Sequence, residues 1–367
     1  MKSIDTKKLH NSRFVENARI VTVSILLIYL TVSLYFMNHF FFNTVINGAD
    51  VSLKAYNEAD EVIIRYVKDY KLQLIARNEK TEEIAGQDIG MKFNRNNSIS
   101  KIHKMQTSFK WPISLFKEQS FYVNDLYFYN RENLEDRIDN LDCLNKDITE
   151  PQNVSFKYVN GCYETVKEIY GNKLHKGRLY EVIKSSILRG QRELDLDKSL
   201  CYINPKYTLS SAETSQTQSL LNKYVSAKIT YILRSEKEIL DQNTISQWLS
   251  VDEGLEVVID ENAVRRYVKG LSKKYDTAGA ARKFKTSVNK TLEVKGGFYG
   301  WKTDIAAEAQ ALTENIKRGE VLEKEPIYIQ KALSRDENDI GDTYVEINIT
   351  RQYLWYYKGG KLIAQGH

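Results

Sequence analysis

Hydrophobic and polar positions along this chain fall into three regimes. The first is residues 20–42, IVTVSILLIYLTVSLYFMNHFFF, an apolar run of 23 residues without Asp, Glu, Lys or Arg. As a helix it would be about 34 Å long, enough for a hydrocarbon core of about 30 Å. It is longer than the apolar core of a signal peptide, and no small-x-small cleavage site follows it. The pattern predicts one transmembrane helix. The stub at 1–19 carries Lys2, Lys7, Lys8, Arg13 and Arg19 against Asp5 and Glu16, a net charge of +3. Basic flanks stay in the cytoplasm, so the bulk of the chain is expected outside a cell membrane crossed once.

The second regime alternates helical and extended spacing. Ala59, Ile63, Tyr66 and Tyr70 share one helical face, and Leu72-Gln73-Leu74 follows as a short strand. Val264, Tyr267, Leu271 and Tyr275 repeat that spacing after an extended segment at 255–259. A further stripe, Ile305, Ala309, Leu312 and Ile316, ends at Gly319, where a helix stop is expected. Tyr180, Ile183, Ile187 and Gly190 repeat its later part 129 residues earlier. Two related α+β domains are expected, at 50–205 and 219–325, joined by a polar linker at 206–218. The segment 94–101, NRNNSISK, reads as an exposed loop. In the third regime Val345, Ile347 and Ile349 alternate with polar residues, 352–357 is aromatic, and Gly359-Gly360 marks a hairpin turn.

Composition narrows the function. The 367 residues are 42% hydrophobic and 28% charged, which suits two or three packed domains. Of the net charge of +5, the stub accounts for +3. Positive charge is thus concentrated beside the apolar run and not in a binding domain, which argues against a nucleic-acid partner. Cys143, Cys162 and Cys201 lack C-x-x-C spacing and have no histidine at ligand spacing, so no metal or cofactor site is expected. They read as buried free thiols or as one disulfide plus a thiol, and the spacing selects no pair.

Two stretches resemble known families. The segment 275–301, YDTAGAARKFKTSVNKTLEVKGGFYGW, with the helical stripe after it, resembles the peptidoglycan-binding domain of Gram-positive cell-wall proteins. The Arg282, Phe284 and Thr286 cluster and the GGFYGW run carry the likeness. Residues 50–205 look like a divergent copy. The segment 338–361, NDIGDTYVEINITRQYLWYYKGGK, resembles the opening strands of the L,D-transpeptidase catalytic domain.

Together these resemblances imply an α+β chain. It would comprise one N-terminal transmembrane helix, two α+β peptidoglycan-binding-like modules, and the first β-hairpin of an incomplete all-β catalytic domain at 338–367. The implied function is the membrane-anchored, extracellular, peptidoglycan-binding part of an L,D-transpeptidase involved in wall cross-linking. The alternative is a wall-binding or wall-sensing membrane protein that is not an enzyme. The implied partners are peptidoglycan and, through 20–42, the lipid bilayer. The resembled enzymes use a cysteine in a Ser-His-Gly-Cys-x-Arg setting, and no such run occurs here, so no catalytic residue is assigned. Cys162 and His175 are the nearest approach to a thiol–base pair in the sequence, and they fall in the first module. For ligand binding the candidates are Arg282, Lys283, Tyr299 and Trp301, because rings stack on sugars and cations bind stem-peptide carboxylates. A core role for Phe298, Tyr299 and Trp301 competes with this. Gly296, Gly297 and Gly300 are expected to allow a tight bend. Trp111 and Trp248 read as core residues.

Overall fold

In a computed structural model the described residues are 6–95, 99–233, 236–336 and 339–367. Lys2 and Asp5 of the expected stub, positions 96–98 of the expected loop, and Asn338 lie outside them. Residues 100–101 of that loop belong to a short helix, Ser100–Met105.

One continuous helix runs from Thr6 to Tyr35, and its 14–35 portion is long and apolar enough to cross a membrane. It does not extend to residue 42. Phe36, Phe40 and Phe41 turn inward and are buried, and Phe36 meets Phe41 edge-on with ring centroids 5.1 Å apart. The expected span 20–42 is therefore corrected at its outer end. Hydropathy cannot separate lipid-facing phenylalanines from core ones, and here a buried aromatic cluster claims the last of them.

The chain divides into two compact units, 1–152 with 170–204, and 153–169 with 205–367. The first begins with the long helix. Its helix Ala59–Lys68 buries Ala59, Ile63 and Val67 and leads into strand Lys71–Ile75. That strand pairs antiparallel with Thr81–Ala85 and parallel with Glu193–Asp195. A return needs a crossover, which helix Lys176–Arg189 supplies. This helix ends at Gly190 with φ +68°, where a side chain would also strike the Asn47 carbonyl. Leu72, Leu74, Ile84, Ile183 and Ile187 are among the core residues.

The second unit repeats this order. Helix Ala212–Val225 precedes strand Lys228–Leu233, which pairs antiparallel with Glu236–Leu240 and parallel with Val321–Lys324. The crossover helix is Ile305–Arg318, ending at Gly319, again with φ +68°. Helix Glu261–Tyr275 buries Val264, Val268 and Leu271 into the same core, and Trp248 is buried there. Trp111, in contrast, is only half-buried.

Two expected boundaries shift. The polar linker 206–218 is mostly helix, because Ala212–Val225 starts inside it and buries Thr214 and Thr217. The Thr217 hydroxyl donates to the Leu255 carbonyl at 2.6 Å, which satisfies a polar group that composition alone assigns to solvent. The hairpin Ser155–Val159 and Cys162–Val166, expected in the first module, belongs to the second unit. Its Tyr163 enters the second core, and the Tyr163 amide donates to Asn222 Oδ1 at 2.6 Å.

The last segment is a three-stranded antiparallel meander, Tyr344–Asn348, Tyr353–Lys358 and Lys361–Gly366, in which the expected strand at 345–349 pairs with the hairpin that turns at Gly359-Gly360. Its faces are reversed from the apolar alternation. Val345, Ile347 and Ile349 face out, while Glu346 is buried. A polar anchor explains the inversion, since the Glu346 carboxylate accepts from the Ser287 amide at 2.8 Å and hydroxyl at 2.6 Å.

Candidate functional site

The hairpin Arg282–Lys285 and Thr291–Val294 stands beside the glycine-rich loop at 295–300. Alternation along the first strand sends Arg282 and Phe284 inward and leaves Lys283 and Lys285 exposed. Phe284 meets Tyr344 edge-on at 5.2 Å, which joins the hairpin to the meander.

The guanidinium of Arg282 is almost fully engaged. Nε and Nη2 reach the two Asp339 carboxylate oxygens at 2.6 and 2.8 Å, a bidentate pair. Nη1 donates to the Ala280 carbonyl and Nη2 also to that of Thr277, both at 2.8 Å. The Asp339 side chain is 3% exposed. Its charge, hydrogen-bonded to Arg282, raises the guanidinium's pKa further. Arg282 thus acts as a brace that ties residues 277–282 to 339.

Trp301 is buried, donates its indole N–H to the Ser334 carbonyl at 2.9 Å, and meets Tyr328 edge-on at 4.9 Å. Gly300 has φ +135°, and a Cβ there would run into the Thr277–Ala278 backbone, so glycine is obligatory. Gly296 and Gly297 also have positive φ but face open space.

Tyr299 lies between these roles. Its hydroxyl donates to the Asp339 carbonyl at 2.8 Å and accepts from the Leu333 amide at 2.8 Å, while its ring remains partly exposed. A cleft of about 490 Å³ opens there, lined by Arg282, Val294, Gly296, Tyr299, Leu333, Ile340, Thr343 and Tyr344. Phe298, expected as a core candidate, is instead 91% exposed. Gln330 holds it out by donating to the Phe298 and Gly300 carbonyls at 2.6 and 2.9 Å. Arg282 and Tyr299 thus line the cleft, Trp301 is buried outside its lining, and Phe298 and Lys283 present a ring and a cation to solvent. Such a surface can stack on sugar faces and attract carboxylates.

Two constellations went unread in the sequence. Asp339 lies 57 residues from Arg282, beyond any periodic signal. Glu308 was legible in principle, being a carboxylate on the apolar stripe of Leu312 and Ile316. It is fully buried, accepts from the Tyr231 hydroxyl at 2.6 Å and the Ile327 amide at 2.8 Å, and pairs with Lys324 at 2.8 Å. Burial, then the Glu308 charge, pushes the Tyr231 hydroxyl far above its usual pKa.

In the first unit Arg77 sits 4.1 Å above the Tyr202 ring and donates to Asp197 and Asn204 at 2.8 and 2.6 Å. It edges a pocket of about 350 Å³ shared with Glu82 and Cys143. Burial, then Glu82, pushes the Cys143 thiol up to about 12. Cys162 and His175 fall in different units. Cys162 Sγ faces the Val159 carbonyl, and His175 Nδ1 caps helix Lys176–Arg189 by accepting from the Arg178 amide at 3.2 Å. All three cysteines are free thiols.

The sequence profile of the family described as "Putative peptidoglycan binding domain" matches residues 83–195 and again 207–323, more than half of the chain. The chain belongs to this peptidoglycan-binding domain family. Each match covers a crossover helix with its C-terminal glycine, so the repeat seen in the fold is a repeat of the family domain. No curated protein matches the chain. Two solved structures do. One is the Ldtfm–avibactam carbamoyl enzyme, 30% identical over 42% of this chain and 60% of that one, with a TM-score of 0.33. The other is a cysteine-to-serine mutant of the Enterococcus faecium L,D-transpeptidase, with the same identity and coverage and a TM-score of 0.32. The chain thus spans 60% of the length of these structures.

Proposed function

We propose that this peptidoglycan-binding chain is the wall-binding part of a membrane-anchored L,D-transpeptidase, held outside the cell by the helix Thr6–Tyr35. The observation that carries this is the double occurrence of the family domain, at 83–195 and 207–323, behind one apolar N-terminal helix. The meander at 344–366 supports the enzymatic part, since its sequence resembles the opening strands of the transpeptidase domain. The complete enzyme would form 3→3 peptide cross-links through a cysteine acyl-enzyme. A second reading is wall binding or sensing without transfer chemistry, by the same pair of family domains.

Lys283 and Tyr299 are the proposed ligand contacts, joined by Phe298, with Arg282 and Trp301 fixing their platform. Protease added to intact protoplasts tests the topology: the bulk of the chain should be digested, and full protection of residues 60–340 would refute an outside location. Sequencing the gene beyond codon 367 separates the two readings. A frame that continues to a Ser-His-Gly-Cys run favours the enzyme, and a stop codon there the binding protein.

A further inference from the structure

We infer that residues 105–117 form a second membrane-contacting element, inserted into the outer leaflet beside the helix Thr6–Tyr35. This rests on that helix being a membrane anchor. The segment reads MQTSFKWPISLFK and contains no acidic residue. It folds as two short turns, Ser108–Lys110 and Trp111–Ser114. Met105, Phe109, Ile113, Leu115 and Phe116 are all exposed, Phe116 by 91%. So dense an apolar patch is unusual on a surface facing water.

Its place along the anchor indicates what covers it. The Tyr29 hydroxyl donates to the Phe109 carbonyl at 2.8 Å, and Trp111 lies against the Tyr29 and Phe36 rings at 6.1 Å each. Tyr29 is six residues before the helix end at Tyr35, hence about 9 Å back along the axis toward the cytoplasm. The apolar portion 14–35 spans about 33 Å, enough for a hydrocarbon core of about 30 Å. Its outer end at Tyr35 therefore lies near the outer boundary, and Phe109, level with Tyr29, sits about 9 Å below it, at acyl-chain level in the outer leaflet. The segment adds exposed apolar surface beside the outer turns of the helix.

Backbone chemistry agrees. Irregular chain at this depth needs its backbone carbonyls bonded internally, and three of them are, although the buried Trp111 indole N–H has no partner among the described residues. The Phe109 carbonyl has Tyr29, the Trp111 carbonyl accepts from Ser114 Oγ at 2.7 Å, and the Ser114 carbonyl accepts from Asn43 Nδ2 at 2.8 Å. Lys104, Lys110 and Lys117 are exposed around the patch, and side chains of this length snorkel toward headgroups.

The test uses the full chain in vesicles of phosphatidylcholine and phosphatidylglycerol, with and without brominated acyl chains. Phe116→Trp adds a reporter at an exposed position, so folding is undisturbed, and Trp111→Phe removes the native one. Alkaline carbonate extraction is run in parallel. If the chain resists extraction, the fluorescence added by Phe116→Trp should be blue-shifted and lose most of its intensity to bromine. The quenching of the unsubstituted chain should fall in Trp111→Phe. A chain that resists extraction while the added fluorescence stays unquenched overturns the inference and leaves the anchor standing. A chain that carbonate extracts removes the anchor reading, and the inference with it.

Discussion

Replacing Glu308 by alanine removes the acceptor on which three groups of the second unit converge. Lys324, whose side chain is 18% exposed, loses its carboxylate, and the buried Tyr231 hydroxyl and the Ile327 amide each lose an acceptor. Breaking a buried ion pair by deleting one partner costs about 3–5 kcal/mol. An unsatisfied buried donor costs roughly 1–3 kcal/mol, but these terms overlap and do not add. Lys324 retains Asn315 Oδ1 at 3.3 Å and some solvent, which favours the low end, about 3 kcal/mol. For a body of this size that is a fall of roughly 6–12 °C in Tm. The first unit carries Leu179 where the second has Glu308, each eleven residues before its helix-ending glycine, 190 and 319. Replacing Glu308 and Lys324 both by leucine, with Tyr231→Phe, should therefore recover most of the loss, since well-packed apolar substitutes for buried pairs are often neutral. Thermal melts of the full chain in detergent, followed by tryptophan fluorescence, report on this unit, which holds Trp248, Trp301 and Trp355. A loss below about 1 kcal/mol for Glu308→Ala, or a triple variant as unstable as the single, would refute the reasoning.

Three further outcomes are expected. Arg282→Ala, which strands the nearly buried Asp339 carboxylate, should cost about 2–4 kcal/mol, whereas the exposed Phe298→Ala should stay within about 0.5 kcal/mol; equal melts would contradict the brace. Under iodoacetamide at neutral pH the exposed Cys162 should be modified first, while Cys143, with its thiol pushed up to about 12, lags; mass spectrometry showing equal rates would count against this. Asp260 caps helix Glu261–Tyr275, and the Ala263 amide, with Arg266, holds its pKa below the usual carboxylate range. A lowered folded-state value means the contribution is present above the ordinary pKa of about 3.9 and disappears as pH falls through the folded one. Wild type should therefore exceed Asp260→Asn in urea stability at pH 7, with the gap closing in acid, and a gap that widens in acid would be the wrong sign.

Much of the architecture was legible because periodicity and glycine stops are local signals. The stripe at Ile305, Leu312 and Ile316 ending at Gly319, and its echo ending at Gly190, mark the crossover helices of both units. What failed was decided by partners distant in sequence. Phe40 and Phe41 are as apolar as lipid-facing residues, and only their cluster claims them for the core. Val345, Ile347 and Ile349 alternate correctly but face out, because Glu346 is held by Ser287, 59 residues away. The hairpin at 155–166 carries an Asn160-Gly161 turn, a local signal of its own, yet its assignment to the second unit depends on Tyr163 meeting Asn222. At the cleft the residue types were readable from the sequence, but their orientation was not. Arg282 has the chemistry of a carboxylate binder and spends it on Asp339, whereas Phe298, expected among core residues, points to solvent.

Co-sedimentation with purified, insoluble peptidoglycan tests wall binding most directly. The full chain in detergent should pellet with the polymer well above an unrelated protein of similar charge. Lys283→Ala and Phe298→Ala should lower the bound fraction while leaving the melting temperature unchanged. A chain that stays in the supernatant while its melt shows it folded would contradict the account.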